Sequence, residues 1–181
     1  MKTAVIGCGG VGGVIAGVLA RRGQDVTCFM TSQDKAAVLR ERGVSVQGRM
    51  GRFTVPVKAA TAPGQGRFDL VVSAVKNDTL DRALDMAESL LCANGMVMVV
   101  QNGIKMVDAA AGRACRVAAG AVGFNAVMLD YGRYQVTSRG GITAGGLNRC
   151  SPEDLFLLKG MLAPLIPVEL TGNIRGVLWS K

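Results

Sequence analysis

Six residues near the N-terminus carry the most specific chemistry in this sequence. Gly7-Cys8-Gly9-Gly10-Val11-Gly12 fits the pattern GxGxxG, directly after the apolar run Lys2–Ile6 and at the start of a segment with helical spacing. In that setting Gly7 permits a tight turn, Gly9 lets the backbone approach a pyrophosphate, and Gly12 lets the helix pack closely on the strand. The unpaired amides and the dipole at the helix start attract the anion. The motif predicts dinucleotide binding; the plainer alternative is that the glycines serve packing alone.

A second group stands at the end of the next predicted strand, where the chain reads Phe29-Met30-Thr31-Ser32-Gln33-Asp34-Lys35. A cofactor without a 2'-phosphate usually meets an Asp or Glu at this strand tip, which binds its ribose hydroxyls. No acid stands there. Thr31 and Ser32 offer hydroxyls and Lys35 a charge to a 2'-phosphate, so NADP is expected over NAD. Two alternatives stay open: Thr31 or Ser32 only caps the following helix, or Asp34 takes the ribose of NAD.

The residue types that are missing narrow the chemistry further. With no histidine, a Ser-His-Asp triad, a Cys-His pair and a histidine metal site are excluded, and acid-base work falls to Lys, Tyr, Asp, Glu or Cys. The five cysteines, Cys8, Cys28, Cys92, Cys115 and Cys150, are odd in number and form no CxxC pair. They read as reduced thiols of a cytoplasmic protein, not as disulfides or a zinc site. The net charge of +8 suits nucleic acid or a phosphate-bearing small molecule. The basic residues are scattered singly apart from Arg21-Arg22, which favours the small molecule and no nucleic acid. Thr3 to Ala20 carries no charge, but six glycines within it argue against a membrane helix or a signal peptide.

The elements that must position these residues follow from periodicity. The chain has 181 residues, 49% hydrophobic and 19% charged, which suffices for one domain with a sizeable core and excludes disorder. Lys2–Ile6 reads as a strand and Val11–Arg22 as a helix capped by Gly23. Asp25–Met30 is a second strand and Gln33–Arg42 a second helix, closed by Gly43. Val44–Gln47 and Phe53–Val57 look like a small hairpin. Phe68–Val75 is a buried strand, Asp78–Leu91 an amphipathic helix with Leu80, Leu84, Ala87 and Leu91 on one face, and Gly95–Val100 another buried strand. Near-continuous apolar strands alternating with helices predict an α/β, doubly wound, mainly parallel sheet. After Gly120 the pattern alternates over Val122–Leu129, Tyr134–Ser138 and Gly141–Ala144, so a mixed or antiparallel extension of that sheet is expected. Ser151-Pro152-Glu153-Asp154 opens a helix, Ile166–Leu170 is a last strand, and Asn173–Lys181 begins a helix that stops in mid-pattern.

Four motifs resemble the ketopantoate reductase (2-dehydropantoate 2-reductase) family: Gly7 to Gly12, Val75-Lys76 ending a strand, Gln101-Asn102-Gly103 ending the next, and Asn173-Ile174-Arg175 with Leu178-Trp179-Ser180-Lys181. Their order and spacing cover nearly the whole chain. The resemblance implies a Rossmann cofactor-binding domain over residues 1–172, with 173–181 as the first turns of an all-helical domain that is otherwise missing. It implies NADPH-dependent reduction of a 2-oxo acid in pantothenate biosynthesis, with Lys76 and Asn102 beside the nicotinamide and Lys181 as the catalytic lysine that protonates the ketone oxygen. Lys76 and Asn102 also fit that place by topology, just past the carboxyl ends of consecutive parallel strands. Two departures stand out: Thr31 replaces the arginine common in the family at the second strand end, and the family's substrate-binding Asn, Ser and Glu fall after Lys181. A non-catalytic cofactor sensor, a related NAD(P)-dependent 2-hydroxy acid dehydrogenase and a homodimer remain open alternatives.

Overall fold

The computed structural model of the chain describes residues 1–64, 66–76, 79–101, 103 and 105–181. Asn102 and the expected helix start at Asp78 lie outside the described residues. In chain order the elements are β1 (Lys2–Ile6), α1 (Gly10–Arg21), β2 (Asp25–Phe29), α2 (Gln33–Arg42), β3 (Val44–Gly48), β4 (Phe53–Val55), β5 (Lys58–Ala60), β6 (Phe68–Ser73) and α3 (Leu80–Leu90). There follow β7 (Leu91–Val99), α4 (Lys105–Ala111), β8 (Arg116–Val122), β9 (Ala126–Asp130), β10 (Arg133–Val136), β11 (Ile142–Asn148), α5 (Pro152–Leu162), β12 (Val168–Leu170) and α6 (Ile174–Trp179).

The main sheet has eight strands in the order β12-β11-β8-β7-β6-β1-β2-β5. From β8 to β5 every pairing is parallel. β11 then joins β8 antiparallel, and β12 joins β11 parallel. The fold is thus the doubly wound α/β architecture expected, with a mixed edge. Successive residues of each central strand feed opposite cores, which is why the strands are apolar throughout. Val5, Leu70, Val72, Met96 and Met98 face the core under α1 and α5, whereas Ala4, Ile6, Val71, Val97 and Val99 face the core under α3, α4 and α6. Ile174 and Leu178 of α6 are buried in that second core.

Three sequence expectations are corrected. Val122–Leu129 is not one strand: β8 ends at Val122, the chain leaves the sheet through Gly123, and β9 starts at Ala126. The β9–β10 hairpin does not extend the main sheet. It pairs through β10 with β3, parallel, to give a separate four-stranded sheet β4-β3-β10-β9, which lies against the outer face of α1. Leu91 does not end α3 but begins β7, opposite Phe68 of β6. The helix opened by Ser151 has the expected cap: its hydroxyl accepts from the Asp154 N–H at 3.3 Å, and the Asp154 carboxylate accepts from the Ser151 N–H at 3.0 Å.

Leu84 on α3 is fully buried in the second core. Leu84→Ala is expected to cost about 3 kcal/mol through lost transfer and the cavity left behind, a fall of about 10 °C in Tm for a domain of this size. Differential scanning calorimetry checks it, and an unchanged Tm would contradict this packing.

Candidate functional site

All the parallel strands end along one edge of the sheet, and β1 is the point where the winding reverses: β2 and β5 lie to one side, β6, β7 and β8 to the other. In such sheets ligands sit in the crevice outside the carboxyl ends at this switch point. A cleft of about 910 Å³ opens there, floored by Gly7, Cys8 and Gly9 and walled by Thr31, Lys35 and Lys76.

The glycine turn separates into positions with different jobs. Gly7 has φ +91°, and a Cβ on it would sit 2.8 Å from the backbone of Ala74 and Val75. A Cβ on Gly12 would lie 2.0 Å from the carbonyl oxygen of Gly7, and one on Gly10 only 2.2 Å from that of Ala126 in β9. These three are demanded by close approach of backbone. Gly9 alone of the motif's glycines is open: among the described residues, a Cβ there meets nothing beyond its chain neighbours within 4 Å. Cys8 is buried and lines the floor, and Val11 packs on the first core. The Cys8 thiol shares a hydrogen bond with Cys28, which together with burial pushes the Cys28 thiol up, so it is neutral. Helix α1 starts at this turn with no side-chain cap and no acid in its first turn, leaving its amide dipole uncompensated.

At the end of β2, Thr31 Oγ1 accepts from Lys35 Nζ at 2.9 Å, and both residues line the cleft. Ser32 does not line it; its hydroxyl accepts from the Lys35 N–H at 3.5 Å as the N-cap of α2. Asp34 is exposed on the first turn of α2 and also stays outside the cleft. Lys76 is exposed at the cleft wall. Lys181, from the end of the chain, donates through Nζ to the carbonyl of Val122 at the tip of β8, and burial lowers its pKa. It stands on the same sheet edge, beyond the cleft, with β7 and β6 between β8 and the glycine turn. From Thr31 at β2 to Val122 at β8 is four strand spacings, about 19 Å.

Two residues of this site, Arg82 and Tyr131, carry no sequence signal. Arg82 of α3 lines the cleft, so three basic side chains (Lys35, Lys76 and Arg82) and no acidic one face it among the described residues. Tyr131, at the tip of the β9–β10 hairpin, places its ring 5.3 Å from Lys35 Nζ. Gln101, of the motif Gln101-Asn102-Gly103, is buried past the end of β7; its Nε2 donates to Ser73 Oγ at 2.9 Å, while its Oε1 has no hydrogen-bond partner among the described residues. None of the described helices is long and apolar enough to cross a membrane.

Three comparisons agree with this architecture. A 2-dehydropantoate 2-reductase of Pyrococcus horikoshii is 27% identical over 187 residues, covering 100% of this chain and 60% of its own length. The crystal structure of a PanE/ApbA family ketopantoate reductase from Ralstonia eutropha JMP134 superposes with a TM-score of 0.86 at 26% identity, over 99% of this chain and 59% of that one. A D-mandelate dehydrogenase in a ternary structure with NADH and anilino(oxo)acetate shares the fold, with a TM-score of 0.85 at 17% identity, over 99% of this chain and 59% of its own. The chain therefore spans about three fifths of the length of these relatives. The profile described as Ketopantoate reductase PanE/ApbA matches residues 3–149. A match over that much of the chain, on a fold with a glycine turn at its switch point, makes this protein a member of the ketopantoate reductase PanE/ApbA family of oxidoreductases.

Proposed function

We propose that this chain is the cofactor-binding part of an NADPH-dependent reductase of 2-oxo acids, with 2-dehydropantoate as its substrate. The observation that carries the reading is the cleft itself: a glycine turn open at Gly9, an uncapped helix start and, among the described residues, three basic side chains and no acidic one form an anion-binding trough. The residues fit a dinucleotide laid along the sheet edge. Gly9 to Gly12 would hold its pyrophosphate, Thr31 and Lys35 its 2'-phosphate, and Lys76 and Asn102 would lie beside its nicotinamide. When bound, the cofactor supplies the hydride. Lys181 holds the proton that the ketone oxygen needs, and its ammonium stabilises the negative charge that develops on that oxygen. The carbonyl of Val122 fixes the Nζ position at the end of β8. On the same reading residues 1–172 are the cofactor-binding unit and 173–181 lead into the part that completes the substrate site, in a cytoplasmic protein.

NADPH is favoured over NADH because Thr31 and Lys35 line the cleft and Asp34 does not. Calorimetric titration of the chain should show NADPH binding more tightly than NADH. Lys35→Ala should weaken NADPH about tenfold, since a charge-assisted hydrogen bond contributes about 1.5–3 kcal/mol, and leave NADH within twofold. Equal binding of both cofactors by the unaltered chain would transfer the reading to NAD.

A further inference from the structure

We propose that Tyr134, brought to the glycine turn by the second sheet, is a positioning residue for dinucleotide binding, its hydroxyl fixing the peptide plane that presents the Gly9 N–H to the cleft. This inference rests on the dinucleotide reading above. Tyr134 belongs to β10, is 1% exposed, and donates its hydroxyl proton to the carbonyl of Cys8 at 3.1 Å, across 126 residues of sequence. Burial holds its phenol well above the ordinary value, so it is a neutral donor at any working pH.

The geometry of the peptide bond makes this contact consequential. The Cys8 carbonyl and the Gly9 N–H belong to one planar trans unit and point in opposite directions. With the carbonyl drawn inward to a buried hydroxyl, the N–H points away from the core at Gly9, where the chain is exposed and a Cβ would meet, among the described residues, no atom beyond its chain neighbours within 4 Å. Without the hydroxyl, the Cys8 carbonyl loses its buried partner and the peptide is free to rotate the N–H out of line.

The ring is held as firmly as the hydroxyl. A Cβ on Gly13, one turn into α1, would lie 2.1 Å from the Tyr134 ring, so Gly13 is glycine to seat this tyrosine. The same hairpin sets Ala126 O against Gly10. The turn is thereby gripped between β1 and a hairpin that starts more than a hundred residues later.

Tyr134→Phe keeps the ring and removes only the hydroxyl, and it tests the proposal. Dinucleotide affinity, read by calorimetry well below the melting temperature, should weaken about tenfold, the effect of one misaligned donor. Amide NMR of the 15N-labelled chain supplies the readout that general destabilisation would not move. The Gly9 amide resonance, and its response to added inorganic pyrophosphate, should change, whereas those of Thr31 and Lys35 should not. A variant that binds like the unaltered chain with its Gly9 amide unmoved would overturn the proposal and leave the dinucleotide reading standing. So would amide changes spread evenly over the chain, which mark loss of packing only. An unaltered chain that binds neither NADPH nor NADH would remove both.

Discussion

Gly9→Val is expected to weaken NADPH binding at least 100-fold while leaving the fold in place. The added methyls enter the open space above the turn, where the pyrophosphate would sit, and two or more charge-assisted hydrogen bonds of about 1.5–3 kcal/mol each are lost with it. The backbone permits a side chain: Gly9 has φ −73° and ψ −162°, at the border of the extended region and without the left-handed φ that would demand glycine. Valine is a poorer N-cap than glycine, a penalty of about 1 kcal/mol, so Tm should fall by only a few degrees. Gly12→Val is the opposing control, because its Cβ would lie 2.0 Å from the Gly7 carbonyl and the helix cannot pack. That variant should lose the folded state along with binding. Calorimetry and thermal melts of the two variants together decide the matter; a Gly9→Val chain with normal NADPH affinity would reduce the motif to a packing device.

Lys181→Ala, assayed in a protein of the relatives' full length that carries this chain, is expected to lower turnover of 2-dehydropantoate by about 10²–10⁴, the usual contribution of a general acid. Cofactor affinity should stay within twofold, since the ammonium acts on charge developing on the ketone oxygen and not on the dinucleotide. The pH profile gives an independent check. Burial lowers the Lys181 pKa, and the acid is active only while protonated. The rate of reduction should thus be full at low pH and decline, as pH rises, at a point below the ordinary lysine value of about 10.4. Steady-state NADPH oxidation measures both, and undiminished turnover in Lys181→Ala would reject the lysine as the proton donor.

Sequence alone determined much of this protein because its signals there are local. The run Lys2–Ile6, the glycines after it and the helical spacing of Val11–Arg22 lie within some twenty residues, and each reports its own burial or backbone demand. The same holds for the continuous apolar strands that had to be covered on both faces, for the family motifs, and for the cap at Ser151. What lay beyond it had one of two causes. In α4 and β8 the chain runs through Ala109-Ala110-Ala111-Gly112 and Val117-Ala118-Ala119-Gly120-Ala121, where side chains are too small and too uniform to show a period, so only packing assigns helix to one and strand to the other. The second cause is distance along the chain. Whether the β9–β10 hairpin would extend the main sheet or join β3 and β4 depended on which apolar faces remained uncovered once the chain had collapsed, and α1 needed a cover on its outer side. That pairing alone delivers Tyr134 to Cys8 and Tyr131 to Lys35. It also decides Gly10: the motif leaves that position free, yet Ala126 closes it against any side chain while the neighbouring Gly9 stays open, because a contact between segments more than a hundred residues apart leaves no mark on the spacing of either.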